Sequence, residues 1–295
     1  MKDNFPPPNS RTLIRRGLLD MVLACLLFSL MNASVYAVRW FDAALAAGVI
    51  SFFRILANLL ILLLPALLRG RTKALFGDGR PSLWLRGLFG ASALMLSFAA
   101  IVRIGPGESA FLTASSGIFV ALLGPLVLGQ RNSLRAWLAI IGAFSGVSLL
   151  FDIDDSHNLL GQSMALLSGL LSALAYLMVA RAGRSNPPQT VIFYFCLVAL
   201  PLHALYFAVF GAELPQAYPV WGLLLLVGIF GSGAQHFMTR AYQRAPAALV
   251  SSIGYLAPVL SLVWAVVLFG QIPAQSALLG AALIAVFGVL LPFLR

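Results

Sequence analysis

The chain has 295 residues, of which 61% are hydrophobic and only 9% are charged. A water-soluble domain carries about 25% charged residues to cover its surface, so this composition excludes an ordinary soluble fold and makes lipid the outer solvent. The formal net charge of +10 sits in short basic caps between apolar runs. No long basic stretch is interleaved with aromatics, which argues against a nucleic-acid partner.

Taken in chain order, a polar tail over residues 1–16 precedes the first apolar run, with Arg11, Arg15 and Arg16 before it. The run is long enough to cross a bilayer and many similar runs follow, so it reads as a retained helix and not as a signal peptide. Apolar runs bounded by charge, Pro or Gly predict ten spans, at 17–38, 43–68, 82–102, 107–129, 133–151, 159–180, 188–210, 217–239, 245–269 and 274–294. The connections are short and leave no room for a soluble catalytic domain. With the amino terminus inside, every one of the 19 basic residues except Arg39, Arg54 and Arg103 falls on the cytoplasmic side, Arg86 included. That asymmetry orients the chain with both termini cytoplasmic. The fold class expected is all-α and integral to the membrane.

Polar residues at membrane depth need a partner or a wet cavity, which makes them the candidate site. Ser29, Asn32 and Tyr36 share one face of the first span, and Ser51, Arg54 and Asn58 share one face of the second. Arg54 is the most costly, at about 2.5–3.5 kcal/mol on insertion scales and far more on an isolated helix. Two readings are open for it: contact with a substrate carboxylate, or pinning to carbonyls at a neighbouring helix end. Ser109, Thr113 and Ser116 line up on the fourth span, and Ser168, Ser172 and Tyr176 on the sixth. The eighth carries Ser232, Gln235, His236 and Thr239 as a stripe that Arg240 continues, and the ninth carries Ser252, Tyr255 and Trp264. Small hydroxyl residues also serve helix packing, so any single Ser is more readily structural than functional. The residues expected to bind substrate are Asn32, Arg54, Ser116, Tyr176, Gln235, His236 and Tyr255. Cys25 and Cys196 lie inside apolar runs and read as small buried hydrophobes, and no metal or other cofactor is expected.

The two halves echo each other. Ala33 and Tyr36 recur as Ala173 and Tyr176, Ser92 and Pro106 as Ser232 and Pro246, and later Gly129-Gln130 as Gly270-Gln271 and Gly146-Val147 as Gly288-Val289. Five spans per copy is an odd number, so the second copy enters the membrane from the opposite side. This predicts two inverted five-helix repeats, over residues 17–151 and 159–294, with a substrate site near the midplane between them.

The run Tyr255-Leu256-Ala257-Pro258-Val259 followed by Leu268-Phe269-Gly270-Gln271 resembles the ninth-helix signature of the drug/metabolite transporter superfamily, EamA type. A partial version runs from Leu112-Thr113 to Leu128-Gly129-Gln130-Arg131 and on to Gly146-Val147. The sequence departs from that pattern at Gln130 and Gln271, where the family usually has Glu, and near Ser115 and Ser116, where it usually has Pro. The resemblance implies an exporter of amino acids or amino-acid-derived metabolites, a metallophore among them, in the cell inner membrane. It also admits an importer of riboflavin or S-adenosylmethionine. A small-molecule substrate and the lipid bilayer are the partners it implies, with a homodimer left open.

The chain has no GxxxxGK[ST] loop for direct ATP drive, no HExxH and no GxSxG, and its acids are not paired inside the bilayer. An enzyme is therefore not expected. Glu108 and Asp20 sit where carboxylates favour a helix start. The Gly142-x-x-x-Gly146 spacing is a close-packing signature.

Overall fold

In the computed structural model, residues 11–128, 133–149, 156–183, 185–245 and 247–290 are described. Gln130, Arg131, the acids Asp152, Asp154 and Asp155, Pro246, and both chain ends fall outside them. The described residues fold into α1 (Arg11–Phe41), α2 (Ala47–Leu68), α3 (Pro81–Ile104), α4 (Pro106–Ala114), α5 (Ser116–Leu128) and α6 (Leu134–Ser148). The second half contains α7 (Ser156–Ala182), α8 (Pro188–Phe210), α9 (Tyr218–Arg244), α10 (Ala247–Gly254), α11 (Leu256–Phe269) and α12 (Gln275–Leu290). Eight of the helical stretches are long and apolar enough to cross a membrane, with α4–α5 and α10–α11 each running as one. Two shorter apolar helices, within α6 and at α12, complete the ten. Proline at the first position opens α3, α4 and α8, where its missing N–H is not needed.

The α1 helix begins earlier than the apolar pattern suggests, because Arg11, Arg15 and Arg16 are good helix formers and stay exposed. Asp20 is therefore more than two turns inside the helix and does not mark its start. It accepts hydrogen bonds from Arg244 at 2.7 Å and pairs with Arg240 at 3.5 Å, tying α1 to α9. Glu108 does lie in the first turn of α4, where it accepts from Gln162 at 2.7 Å.

The repeat is visible in how the helices pack. The two largest interfaces are α1 with α9 and α3 with α7. The α7 helix is the copy of α1 and α9 the copy of α3, so each interface is the other with the halves exchanged. The α6 and α12 helices, copies of one another, pack together at one flank. There Gly142 and Gly146 allow the close approach: a Cβ at Gly146 would lie 2.7 Å from the Gly280 carbonyl oxygen, and one at Gly142 2.5 Å from the Phe287 ring.

The fourth and ninth spans are broken at Ser115 and Tyr255, which are related by the repeat. At both, the backbone N–H bonds three residues back, Ser115 to Leu112 at 3.2 Å and Tyr255 to Ser252 at 3.3 Å. In the ninth span, Pro258 removes the N–H that would have bonded to the Gly254 carbonyl. The Cys25 thiol lies 3.5 Å from the Ile253 carbonyl and 3.8 Å from that of Gly254. In the fourth span no proline stands near the break. Instead the Ser115 hydroxyl turns back onto the Leu112 carbonyl at 2.6 Å, the local competition for backbone bonds that loosens helices at serine.

Outside the membrane spans, Asp78 anchors the segment between α2 and α3, which also holds a short 3-10 helix at Thr72–Leu75. Its carboxylate accepts from Ser185 at 2.6 Å and from Asn186 at 2.9 Å, and pairs with Arg80 at 3.1 Å. Slight burial opposes ionisation of Asp78. The bonds from Ser185, Asn186 and the Arg80 backbone, with the Arg80 charge, outweigh it and hold the carboxyl below the usual range. A depressed folded value adds order above the ordinary pKa, about 3.9, and that order is lost as pH falls through the folded value. Asp78→Asn at neutral pH, or acidification of the native chain below about pH 4, should speed hydrogen exchange over residues 72–80. Exchange corrected for its intrinsic rate should stay flat between about pH 5 and 8.

Candidate functional site

A central cavity of about 180 Å³ lies between the two repeats, room for on the order of ten waters. Four spans from each half wall it, and α6 and α12 take no part. Of the residues the sequence singles out, Asn32, Arg54, Ser116, Tyr176, Gln235 and Tyr255 all line this cavity. Ser109, Thr113, Ser168 and Ser172 join them.

His236 is the exception and is not among the lining residues. Its ring meets Phe237 edge-on at 5.8 Å, and its electrostatic neighbours are Arg240, Asp20 and Arg244. A helix turns 100° per residue, so Gln235 facing the cavity carries His236 well away from it. The polar stripe of α9 is narrower than its composition suggests.

Several of the other candidates serve packing. Tyr36 accepts a hydrogen bond from Gln271 at 2.8 Å, and Trp264 donates to the Ser29 hydroxyl at 3.1 Å. Asn32 donates to Ser261 at 3.3 Å, so α1 is stitched to α11 along its length. Ser51 pairs with His203 at 2.8 Å, joining α2 to α8, and His203 Nδ1 lies 2.8 Å from the Ala199 carbonyl. Ser168 donates to the Ala93 carbonyl at 2.8 Å across the α3–α7 interface. Tyr176 stacks on Tyr242 at 5.1 Å. These contacts fix the walls, and the groups that remain open to the cavity are fewer.

Arg54 is one of them. It is 3% exposed, its Nη2 reaches Gln235 only at 3.5 Å, and its Nε has no hydrogen-bond partner. Among the described residues it is not pinned to a backbone carbonyl. The second is Arg86, which the charge pattern assigns to the cytoplasmic caps. It lies a turn and a half into α3, is 2% exposed and lines the cavity. Its Nε also has no hydrogen-bond partner. Both guanidinium carbons sit over the Phe195 ring, Arg54 at 5.6 Å and Arg86 at 4.8 Å from its centre, a cation–π arrangement that holds the charges in place. Each arginine also passes over a glycine. A Cβ at Gly90 would lie 1.8 Å from Arg86 Nη1, and one at Gly231 would lie 2.6 Å from Arg54 Nε. The spacing Arg86-x-x-x-Gly90 was the available sequence signal for the second arginine.

Among the described residues no Asp or Glu lines the cavity. The Ser109 hydroxyl and the Tyr255 phenol there are likewise buried with no hydrogen-bond partner. Two cations and two neutral polar groups thus face the same cavity with unused hydrogen-bonding capacity. Such a site favours an anionic, hydrogen-bonding guest.

Apolar spans in two exchanged repeats, wrapped around a cavity that carries two arginines, define a multi-pass membrane transporter. The chain belongs to the EamA-like transporter family, whose model matches residues 15–152 and again 159–294. It is 31% identical over 279 residues, 93% of this chain and 95% of the relative, to the pseudopaline exporter CntI of Pseudomonas aeruginosa strain UCBPP-PA14. Solute carrier family 35 member G1 of Mus musculus is 26% identical over 92% of this chain and 76% of its own. A riboflavin transporter of Brucella anthropi is 23% identical over 90% of this chain and 94% of its own. A solved crystal structure at 20% identity shares the fold with a TM-score of 0.69, covering 97% of this chain and 98% of that one. The family and these named relatives are transporters, not enzymes.

Proposed function

We propose that the chain is a secondary transporter of the cell inner membrane that exports small polar, amino-acid-derived metabolites, a metallophore among them, by alternating access. The observation that carries this reading is the cavity shared by the two repeats, with Arg54, Tyr255 and Gln235 turned into it from three different spans. A cationic, hydrogen-bonding pocket at the seam suits the carboxylate and polar groups of such cargo. The pseudopaline exporter's similarity along nearly the whole chain favours outward transport of that class. The riboflavin transporters are less similar, which places import second. Both termini are assigned to the cytoplasm on the distribution of Lys and Arg.

The test compares metabolites in cytosol and medium between a deletion strain and its parent. The exported compound should accumulate inside the deletion strain and fall in its medium. The purified chain in proteoliposomes should then release that same compound down its gradient. Depletion inside the deletion strain instead would reverse the direction and make the chain an importer.

A further inference from the structure

Among the described residues the two arginines of the cavity have no anionic partner, and their arrangement bears on what fills it. Arg54 comes from α2 and Arg86 from α3, and both lie over the one ring of Phe195, so their guanidinium carbons are at most roughly 10 Å apart. Each retains a buried Nε with no hydrogen-bond partner, and among the described residues the only side-chain hydrogen bond either one makes is that of Arg54 to Gln235, at a long 3.5 Å. Among the described residues the other ionisable groups that act on their charges are the Cys196 thiol and the Tyr176 phenol, neither of them an acid of the carboxylate kind. Like charges in an apolar surround repel more strongly than in water, so two buried guanidiniums that share one ring contact are a costly arrangement to keep without a ligand that relieves it. Glycine at 90 and at 231 leaves space along the path of each arginine.

The geometry points to a cargo that bears two carboxylates, one for each arginine, with Phe195 setting the distance between the two sites. This rests on the reading of the cavity as the transport site. A single carboxylate would neutralise one guanidinium and leave the other buried and bare, whereas a dicarboxylate neutralises both. Each planar guanidinium presents paired donors that match the two oxygens of one carboxylate. A monocarboxylate of the same length is therefore a poor substitute, and the pocket selects on the number of carboxylates as well as on size.

The test is a thermal-unfolding titration of the purified full-length chain in detergent at constant ionic strength. The probes are succinate, glutarate and adipate, butyrate as the monocarboxylate, and inorganic phosphate as a single group able to carry two charges. At least one dicarboxylate should bind roughly tenfold or more tightly than butyrate and phosphate, as expected for one added charged hydrogen-bonding pair. Arg86→Gln should remove that advantage and bring the dicarboxylate to the butyrate level. Gly90→Ala, which places a methyl group on the Arg86 guanidinium, should weaken dicarboxylate binding with Arg86 still in the chain. If Arg86→Gln does not give monodisperse protein, Arg86→Lys replaces it, and the loss of the planar fork should still lower the dicarboxylate preference. Equal binding of mono- and dicarboxylates, binding of none, phosphate matching the best dicarboxylate, or an Arg86 variant that keeps the preference would each overturn the proposal. Native-cargo flux that dicarboxylates fail to compete would overturn it while leaving the transport reading in place. Dicarboxylate binding without any flux would do the reverse.

Discussion

Arg54→Met should cut transport roughly 30-fold or more while raising the thermal stability of the empty protein. The two effects have one cause. Arg54 is 3% exposed, has only the long hydrogen bond to Gln235 and leaves its Nε without a hydrogen-bond partner, so the empty protein holds a buried charge that no acid among the described residues neutralises. Replacing a buried charge by an apolar side chain of similar volume is often stabilising, by about 1–4 kcal/mol. The lost cation–π contact with Phe195 offsets some of that, at about 0.5–2 kcal/mol, and the midpoint of unfolding should rise by a few degrees, at about 2–4 °C per kcal/mol. Cargo binding moves the other way. Removing one partner of a buried, hydrogen-bonded charge pair costs about 2–5 kcal/mol, which is the source of the flux loss. Flux from proteoliposomes and unfolding in detergent read the two quantities separately. A folded Arg54→Met protein with unchanged flux would remove Arg54 from the site, and a lower midpoint would assign it to the scaffold. His236→Ala should leave flux unaltered, because His236 is absent from the cavity wall.

Gly146→Leu should be the most damaging single change to the fold. A Cβ at this position meets the Gly280 carbonyl oxygen at 2.7 Å, Leu283 Cβ at 2.8 Å and the Ile284 backbone nitrogen at 3.0 Å. Two of those atoms are backbone, so relief requires α12 to move off α6 as a body. Overpacking costs about 1–3 kcal/mol even where side chains can yield, and here the expected loss is at the upper end or beyond. Gly142→Ala should cost less, since the obstruction there is the end of the Phe287 ring. Gly222→Leu should be silent, because nothing lies within 4 Å of the added carbon. Midpoints of thermal unfolding for the three variants, measured in one detergent, should fall in that order. A Gly146→Leu midpoint equal to that of Gly222→Leu would mean that α6 and α12 are not in close contact.

The helical course of the chain was legible because long apolar runs and basic caps leave few alternatives. Six of the seven candidate binding residues reached the cavity because helical spacing places polar groups on a common face, as with Asn32 on α1 and Gln235 on α9. Arg86 escaped for a physical reason. It lies only five residues after Pro81, where a basic residue ordinarily reaches water, and a one-dimensional charge pattern cannot distinguish a side chain that turns outward from one that turns into a seam. Asp20 was misread in the opposite sense: its position suits a helix start, but the helix extends back to Arg11 and its partners, Arg240 and Arg244, lie more than two hundred residues away in sequence. The lack of a proline near Ser115 was similarly uninformative, since Ser115 and its hydroxyl produce the same interruption by another route.

The paired interruptions at Ser115 and Tyr255 bear on how such a carrier would run. Each divides a membrane-crossing rod into two levers joined by one loosely bonded residue, and swapping the halves of the molecule turns one joint into the other. On the proposed alternating-access reading, swinging a lever in one half should then meet nearly the same resistance as swinging its twin, and the fold itself would favour neither direction. The net direction of traffic is then left to the concentrations and voltage that the cell maintains across the bilayer.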